Sequence, residues 1–303
     1  MRRPGSLPPI AGTQPFSTSA AQRAGITKSR LRRTDLVAPF HGVRTSAEKE
    51  PVTLEERCRA YAEVIPAGMF FSHTTAASLY DLPLPPEDAS VLHVSAPRHR
   101  RAPRAEGVVG HRVSIAESDI RMLRGLPVPT PVELFCQLGS VLGHDALVIV
   151  GDALVRRKQP LSTLEALYAG VQAAEGRPGI RRLREAVALV RPRTDSPMET
   201  TLRLAIVRAG LPEPSVNYRI DVGAAGAAHL DMAYPSRRIA IEYDGDHHRT
   251  DRRQFHIDGD RLWRIQSQGW QVIRVNRSHM SDDAREAVRR VRLALSSVGR
   301  NTP

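Results

Sequence analysis

Apolar and polar positions repeat with two periods along this chain, and the switch between them marks its C-terminal third. In SPMETTLRLAIVRAGLP, Leu202, Ala205, Ile206 and Ala209 fall on one face of a helix. Ser196 stands at the N-cap, Pro197 at the first helical position, Glu199 completes a capping box and Gly210 ends the helix. The pattern then changes to strict alternation in SVNYRIDV, HLDMAY and IAIEYD, with GAAGAA and PSRR between them. These read as three strands, and the tight PSRR turn makes the second and third an antiparallel hairpin. A helix, a strand and a last helix follow, so residues 193–298 are read as one domain. On the third strand Ile239, Ile241 and Tyr243 share one face and Glu242 and Asp244 the other, while the hairpin brings Asp231 alongside.

The N-terminal patterns are shorter. Residues 1–15 read as a flexible basic tail. In FSTSAAQRAGITKSRLRRTDL, Ser19 and Gln22 fit a capping box and Gly25 breaks a first helix. Thr27 then caps a second helix carrying Lys28, Arg30, Leu31, Arg32 and Arg33 to about Leu36. A helix, a glycine turn and a basic helix make a helix-turn-helix pattern, and VAPFHGVRT, with Pro39 and Gly42, reads as its wing. Residues 16–50 are thus read as a winged helix-turn-helix with Lys28, Arg30, Arg32 and Arg33 facing nucleic acid; the alternative is a plain helical hairpin with solvated arginines. Residues 51–192 read as a mixed α/β region: a helix with Leu54, Cys58, Tyr61 and Val64 as its stripe, a helix capped near Ser72, the strand VLHVSAP and further helices. His73 is read as a helix-start histidine, since no acidic or metal-binding partner lies near it in sequence.

Charge adds a partner class. The chain has 303 residues, a net charge of +12 and a pI near 10.6, which favours a polyanion, nucleic acid first. Lysine occurs only at Lys28, Lys49 and Lys158, so arginine carries this charge, and part of the excess reflects coding bias. Aromatic residues make up 5%, which argues against a broad stacking surface for single strands; Trp263 and Trp270 are assigned to core. Cys58 and Cys136, far apart in apolar contexts, suggest buried thiols in a reducing compartment. Without an apolar run of membrane-spanning length or a secretory h-region, a cytoplasmic protein with no membrane partner is expected.

Against this basic background, IAIEYDGDHHRTD gathers acids and imidazoles. A strand face holding several carboxylates makes poor core, because unpaired buried anions are costly. A hard divalent cation resolves the repulsion and can activate water against a phosphodiester. The simpler alternative is pairing with the nearby Arg237, Arg238 and Arg249.

The combined pattern HLDMAYPSRRIAIEYDGDHH followed by DGDRLWRIQSQGWQVIRVNRSHM resembles the PD-(D/E)XK nuclease superfamily, and within it the very-short-patch-repair-like endonuclease domains of bacterial proteins. The resemblance covers about Ser196 to Arg290. It implies a restriction-endonuclease-like core, a central mixed sheet flanked by helices, and phosphodiester hydrolysis dependent on Mg2+ or Mn2+. It assigns Asp231 and Glu242 as metal ligands and Asp244 to the place of the superfamily's lysine. It puts His247 near the water or scissile phosphate, gives Glu199 a water-orienting or capping role, and has Arg261 and Arg274 contact phosphate or brace the carboxylates. No lysine follows Lys158, so the usual lysine is absent. AAQRAGITKSRLRR, FSHTTAASLYDLPLP, LHVSAP and RGLPVPTP resemble type IV abortive-infection antitoxin-like regulators. Together these imply a bacterial DNA-binding endonuclease or nickase without a small-molecule cofactor, with room for a protein partner on the middle region. The alternative is a non-catalytic transcription regulator or antitoxin-like protein with a degenerate nuclease fold.

Overall fold

The structure, a computed structural model, describes residues 14–86, 91–223, 226–245 and 252–298, with the backbone alone for 252–258 and 298. The chain divides into two compact units of mixed α and β structure. One holds the chain up to Leu142 with Gly176–Gly179, the other Gly143–Glu175 and the chain from Ile180 onward.

In the N-terminal unit β1 (Phe16–Ser17), α1 (Thr18–Arg23), β2 (Leu36–Val37) and β3 (Val43–Ser46) come first, and the strands form an antiparallel sheet in the order β1-β3-β2. Helix α1 is capped by Ser17 rather than Ser19: the Ala20 amide donates to Ser17 Oγ at 3.3 Å. Gly25, at φ +86°, turns the chain after it. The second helix expected over Thr27 to Leu36 is replaced by a turn and the single 3-10 turn Arg30–Arg32. The small core explains why. Leu31 and Leu36 both pack with Phe16 and Ala21, and residues five apart would lie about 140° around an α-helix. An extended exit through Arg33 brings both leucines inward. The β2–β3 hairpin forms through Pro39 and Gly42, where the wing was expected.

The rest of this unit comprises α2 (Leu54–Ala62), β4 (Phe70–Phe71), α3 (His73–Leu79), β5 (Leu92–Pro97), β6 (Val108–Val113), β7 (Ile120–Leu123), β8 (Leu126–Pro129) and α4 (Pro131–Leu138). Strand β5 pairs antiparallel with β4 and parallel with β6, and β7 and β8 form a hairpin. Cys58 and Cys136 are buried and free, and burial pushes both thiols up to about 12.

The C-terminal unit comprises α5 (His144–Leu154), α6 (Leu164–Ala173), α7 (Ile180–Leu189), α8 (Pro197–Arg208), β9 (Ser215–Asp221), β10 (Ala227–Tyr234), β11 (Ile239–Asp244), α9 (Arg252–Ser267), β12 (Gln271–Asn276) and α10 (Ser281–Val298). It begins at Gly143, ahead of residue 193, because Asp152 of α5 is clasped by Thr200 and Arg203 of α8. Its sheet runs β12-β11-β10-β9, antiparallel except for the β11–β12 pair, which α9 connects. Leu202 and Ile206 of α8 and Ala287 and Val291 of α10 pack on Met232, Tyr234, Ile239 and Ile241. On the opposite face Ile265 of α9 packs with Ile220, Leu230, Ala233 and Ala240. Helices thus cover both faces of a mixed sheet. Trp270 joins the second cluster, but Trp263 of α9 is 69% exposed and is not core. Among the described residues no helix is long and apolar enough to cross a membrane.

Candidate functional site

Strand β10 changes face at Asp231. Leu230 packs with Ala233 toward α9, whereas Met232 and Tyr234 pack toward α8 and α10. The β9 pairing jumps from Leu230↔Tyr218 to Met232↔Val216, and Asn217, between the two, holds φ +49°. A left-handed conformation at a non-glycine strand residue is strained, so the surroundings must enforce it. The same break frees the Asp231 carboxylate, which accepts from the Tyr243 amide at 2.8 Å.

Glu242 lies beside it. The hairpin register pairs Met232 with Ile241, and one step further puts Asp231 across from Glu242. Glu242 is 7% exposed. Its Oε2 accepts from Arg261 Nη1 at 2.7 Å, while Oε1 is buried without a hydrogen-bond partner. Arg261 also donates through Nη2 to the His229 carbonyl. Glu199, buried at the start of α8, accepts from the Asp195 amide at 3.0 Å while Ser196 caps the Glu199 amide at 3.2 Å. Its carboxylate therefore serves the helix cap.

Electrostatically these groups strain against one another. Burial pushes the Asp231 carboxyl well above its ordinary range, the charges of Glu242 and Glu199 push it further, and Arg261 opposes them. Burial also raises Glu242, against Arg261. Glu199 rises with burial and with the charges of Asp195 and Glu242, against its cap hydrogen bonds. Fully ionised carboxylates here want a compensating cation beyond the Arg261 guanidinium that touches Glu242 and the more distant charge of Arg274.

Asp244 does not join them. Although it shares a strand with Glu242, it forms a 2.6 Å ion pair with Arg274, which sits on β12 opposite Glu242. Arg261 and Arg274 thus brace carboxylates. His247, expected at the rim, lies outside the described residues, as does His248. In the N-terminal unit Lys28, Arg32 and Arg33 are exposed, and Arg30 grips Asp35 with two hydrogen bonds of 2.8 and 3.0 Å.

Asp231 opens on a cleft of about 420 Å³ that is also lined by Arg157, Asn217, His229, Arg261 and Arg264. His229 Nδ1 is buried and lacks a partner. Sequence reasoning missed four of these. His229 stands two residues before Asp231 and Arg264 three after Arg261, spacings that could have drawn attention to both. Arg157 lies in a helical region assigned elsewhere, and Asn217 carries no signal of its own. The donor set of Asp231 and Glu242, with one orphaned oxygen, fits a hard divalent cation that takes oxygen ligands and keeps several waters. Among the described residues, the trio whose ligand atoms all lie within 4.8 Å of one another is a different one, His73, His93 and His111.

No family model matches the chain. The uncharacterized proteins MT2308 and Rv2248 of two Mycobacterium tuberculosis strains are each 27% identical to it over 211 residues, covering 66% of this chain and 71% of theirs. A crystal structure of the RV2827C protein from Mycobacterium tuberculosis aligns with a TM-score of 0.38 and 18% identity over 69% of this chain and 83% of that one.

Proposed function

We propose that the protein is a DNA endonuclease or nickase that depends on Mg2+ or Mn2+, with its chemistry at Asp231 and Glu242 and DNA recruitment by the N-terminal unit. The observation that carries this reading is the buried, unpartnered Oε1 of Glu242, across the hairpin from Asp231, which itself lines a cleft with Arg157, Arg261 and Arg264. Asp231 and Glu242 would hold the cation. When bound, such an ion supplies an acidified water and neutralises charge on a phosphate.

The chain's own groups have separate tasks. Arg264 attracts the phosphodiester to the cleft in place of the absent lysine, while the Arg157 charge there is shared with its ion-pair partner Asp195. Arg261 fixes the Glu242 carboxylate and opposes the rise that burial imposes on it. His229 Nδ1, free of a partner, is available to hold a proton at the cleft wall. Exposed Trp263 and Arg264, neighbours on α9, add a stacking and a phosphate contact.

The test is nicking of supercoiled plasmid by the full chain with Mg2+ or Mn2+. Asp231→Asn and Glu242→Gln are each expected to reduce the rate at least about 100-fold, with thermal melts showing retained folding. Unchanged nicking in both variants overturns the assignment. A second reading, a DNA-binding regulator with a silent site, draws on the Arg261–Glu242 and Arg274–Asp244 ion pairs, which already neutralise part of the acidic face. It predicts sequence-specific duplex binding that is indifferent to EDTA and requires Arg30, Arg32 or Arg33.

A further inference from the structure

The N-terminal unit brings together three histidines that are far apart in sequence. His73 opens α3, His93 lies on β5 and His111 on β6. The parallel register pairs Ser95 with His111 and His93 with Val109, so His93 and His111 sit diagonally on one face of the sheet. His93 Nδ1 and His111 Nε2 are 2.9 Å apart. The His73 ring stacks on His111 with centroids 3.9 Å apart. One ligand nitrogen from each residue lies within 4.8 Å of the other two.

We propose that His73, His93 and His111 form a binding site for Zn2+ or a similar late first-row divalent ion, with water as the fourth ligand. Three imidazoles on one ion, plus an open position, are a recurrent zinc donor set, and imidazole suits such metals better than Mg2+. Tetrahedral Zn–N bonds of about 2.0–2.1 Å put ligand nitrogens about 3.3 Å apart. Closing from within 4.8 Å needs ring rotations that open the His73–His111 stack and replace the His93–His111 hydrogen bond. His93 and His111 are only half-buried, so an ion can enter.

Three further features argue for a built site. First, His73 holds φ +48°. A β-carbon in the left-handed region at a helix start is strained, and the surrounding structure holds it there. Its amide is 3.5 Å from Gln137 Oε1, Gln137 donates to Glu133, and Arg177 clasps Glu133 at 2.7 and 2.8 Å. Second, His73 Nδ1 lies 3.0 Å from Ser72 Oγ, which accepts from Ser95 Oγ at 2.7 Å. Such a partner on one ring nitrogen holds the orientation of the ring and leaves the other nitrogen for a metal. Third, burial and the neighbouring imidazoles hold His73 down to about 3 and His111 to about 4. Neutral imidazole is the form that ligates a divalent ion. The site is independent of the carboxylate pair, and its fate does not bear on the nuclease reading.

The test uses the full chain, stripped with EDTA and dialysed, titrated with ZnCl2 by calorimetry. His93→Gln/His111→Gln is expected to lose one tight equivalent, its dissociation constant rising at least about 100-fold. Ser72→Ala should weaken that equivalent by about 10- to 100-fold while leaving stoichiometry intact, as an orienting partner does. Wild-type protein loaded with Co2+ should show the visible bands of a four-coordinate, nitrogen-rich centre, a readout that needs no variant to fold. A double variant that binds zinc as tightly as wild type, or cobalt bound only in an octahedral, oxygen-rich environment, overturns the proposal.

Discussion

Two acidic sites in the C-terminal unit are buried to similar degrees and differ in how completely they are satisfied. Asp152 is 1% exposed and every oxygen is used: Oδ1 accepts from the Arg191 amide at 2.7 Å, and Oδ2 from Thr200 Oγ1 at 2.8 Å and Arg203 Nη2 at 2.9 Å. Arg203 passes the charge on to Glu213 at 2.9 Å, which also pairs with Arg191 at 2.8 Å, although Arg203 Nε is itself buried without a hydrogen-bond partner. Glu242, by contrast, keeps one oxygen without a partner and has Asp231 beside it. Native proteins leave few buried polar atoms unpaired, because each costs about 1–3 kcal/mol. A buried carboxylate with both oxygens paired, as at Asp152, is what structural work looks like. The open one is tolerated where something absent from the folded chain completes it.

The sharpest way to break this comparison is to open the closed site. Arg203→Met would leave Asp152 buried and ionised without its guanidinium. The cost is expected at about 3–5 kcal/mol, the usual penalty for removing one partner of a buried pair. Urea denaturation of the C-terminal unit measures it. A loss under about 1 kcal/mol would mean that water already reaches Asp152, and that closure does not distinguish the two sites.

The open site should respond in the opposite direction. A carboxyl raised in the folded state destabilises the fold when ionised. That penalty is absent below the ordinary carboxylate range, grows as pH rises toward the raised folded value and is complete above it. Burial raises both Asp231 and Glu242, and the charges of Glu242 and Glu199 raise Asp231 further. Asp231→Asn removes one of the charges while its side-chain oxygen can still accept from the Tyr243 amide. Its melting temperature should therefore exceed wild type by about 2–4 °C at pH 8, about 1 kcal/mol for a unit of this size, and the gain should vanish at pH 4. Mg2+ should raise the wild-type melting temperature but not that of the variant. A variant less stable than wild type at pH 8 would make Asp231 a structural residue like Asp152.

The contrast also explains what was legible in the sequence. Strands β9 to β11 and helix α8 follow directly from periodicity, and the PSRR turn sets the register that puts Asp231 across from Glu242. The failures arise where tertiary packing overrides local pattern. The basic segment from Thr27 has helical propensity, yet Leu31 and Leu36 are drawn into one small core that a helix cannot serve. Trp263 looks like core by residue type but faces solvent, because Ile265 takes the buried stripe of α9. The Asp152–Arg203 clasp and the histidine trio join residues whose neighbourhood is created only by folding: β5 and β6 pair in parallel, so no tight turn announces His93 beside His111.

The smallest effect is expected at Asp244, which shares a strand with Glu242 but not its problem. Its partner Arg274 is 53% exposed and Asp244 38%, so their 2.6 Å ion pair is largely solvated. Such pairs contribute about 0–1 kcal/mol and weaken with salt. Arg274→Gln should therefore change stability by less than about 1 kcal/mol in urea denaturation, and less still in high salt. Its side chain sits opposite Glu242 across the parallel strands, however, and its charge opposes the rise in the Glu242 carboxyl, behind the larger contribution of Arg261. If Asp231 and Glu242 act as a pair, Arg274→Gln should raise their apparent pKa in a pH–rate profile of nicking while barely moving the melting temperature. Arg261→Gln, which removes the direct 2.7 Å contact, should shift the same profile further. Equal shifts from the two arginines would mean that the site reads the field of the whole sheet rather than the contact at Glu242.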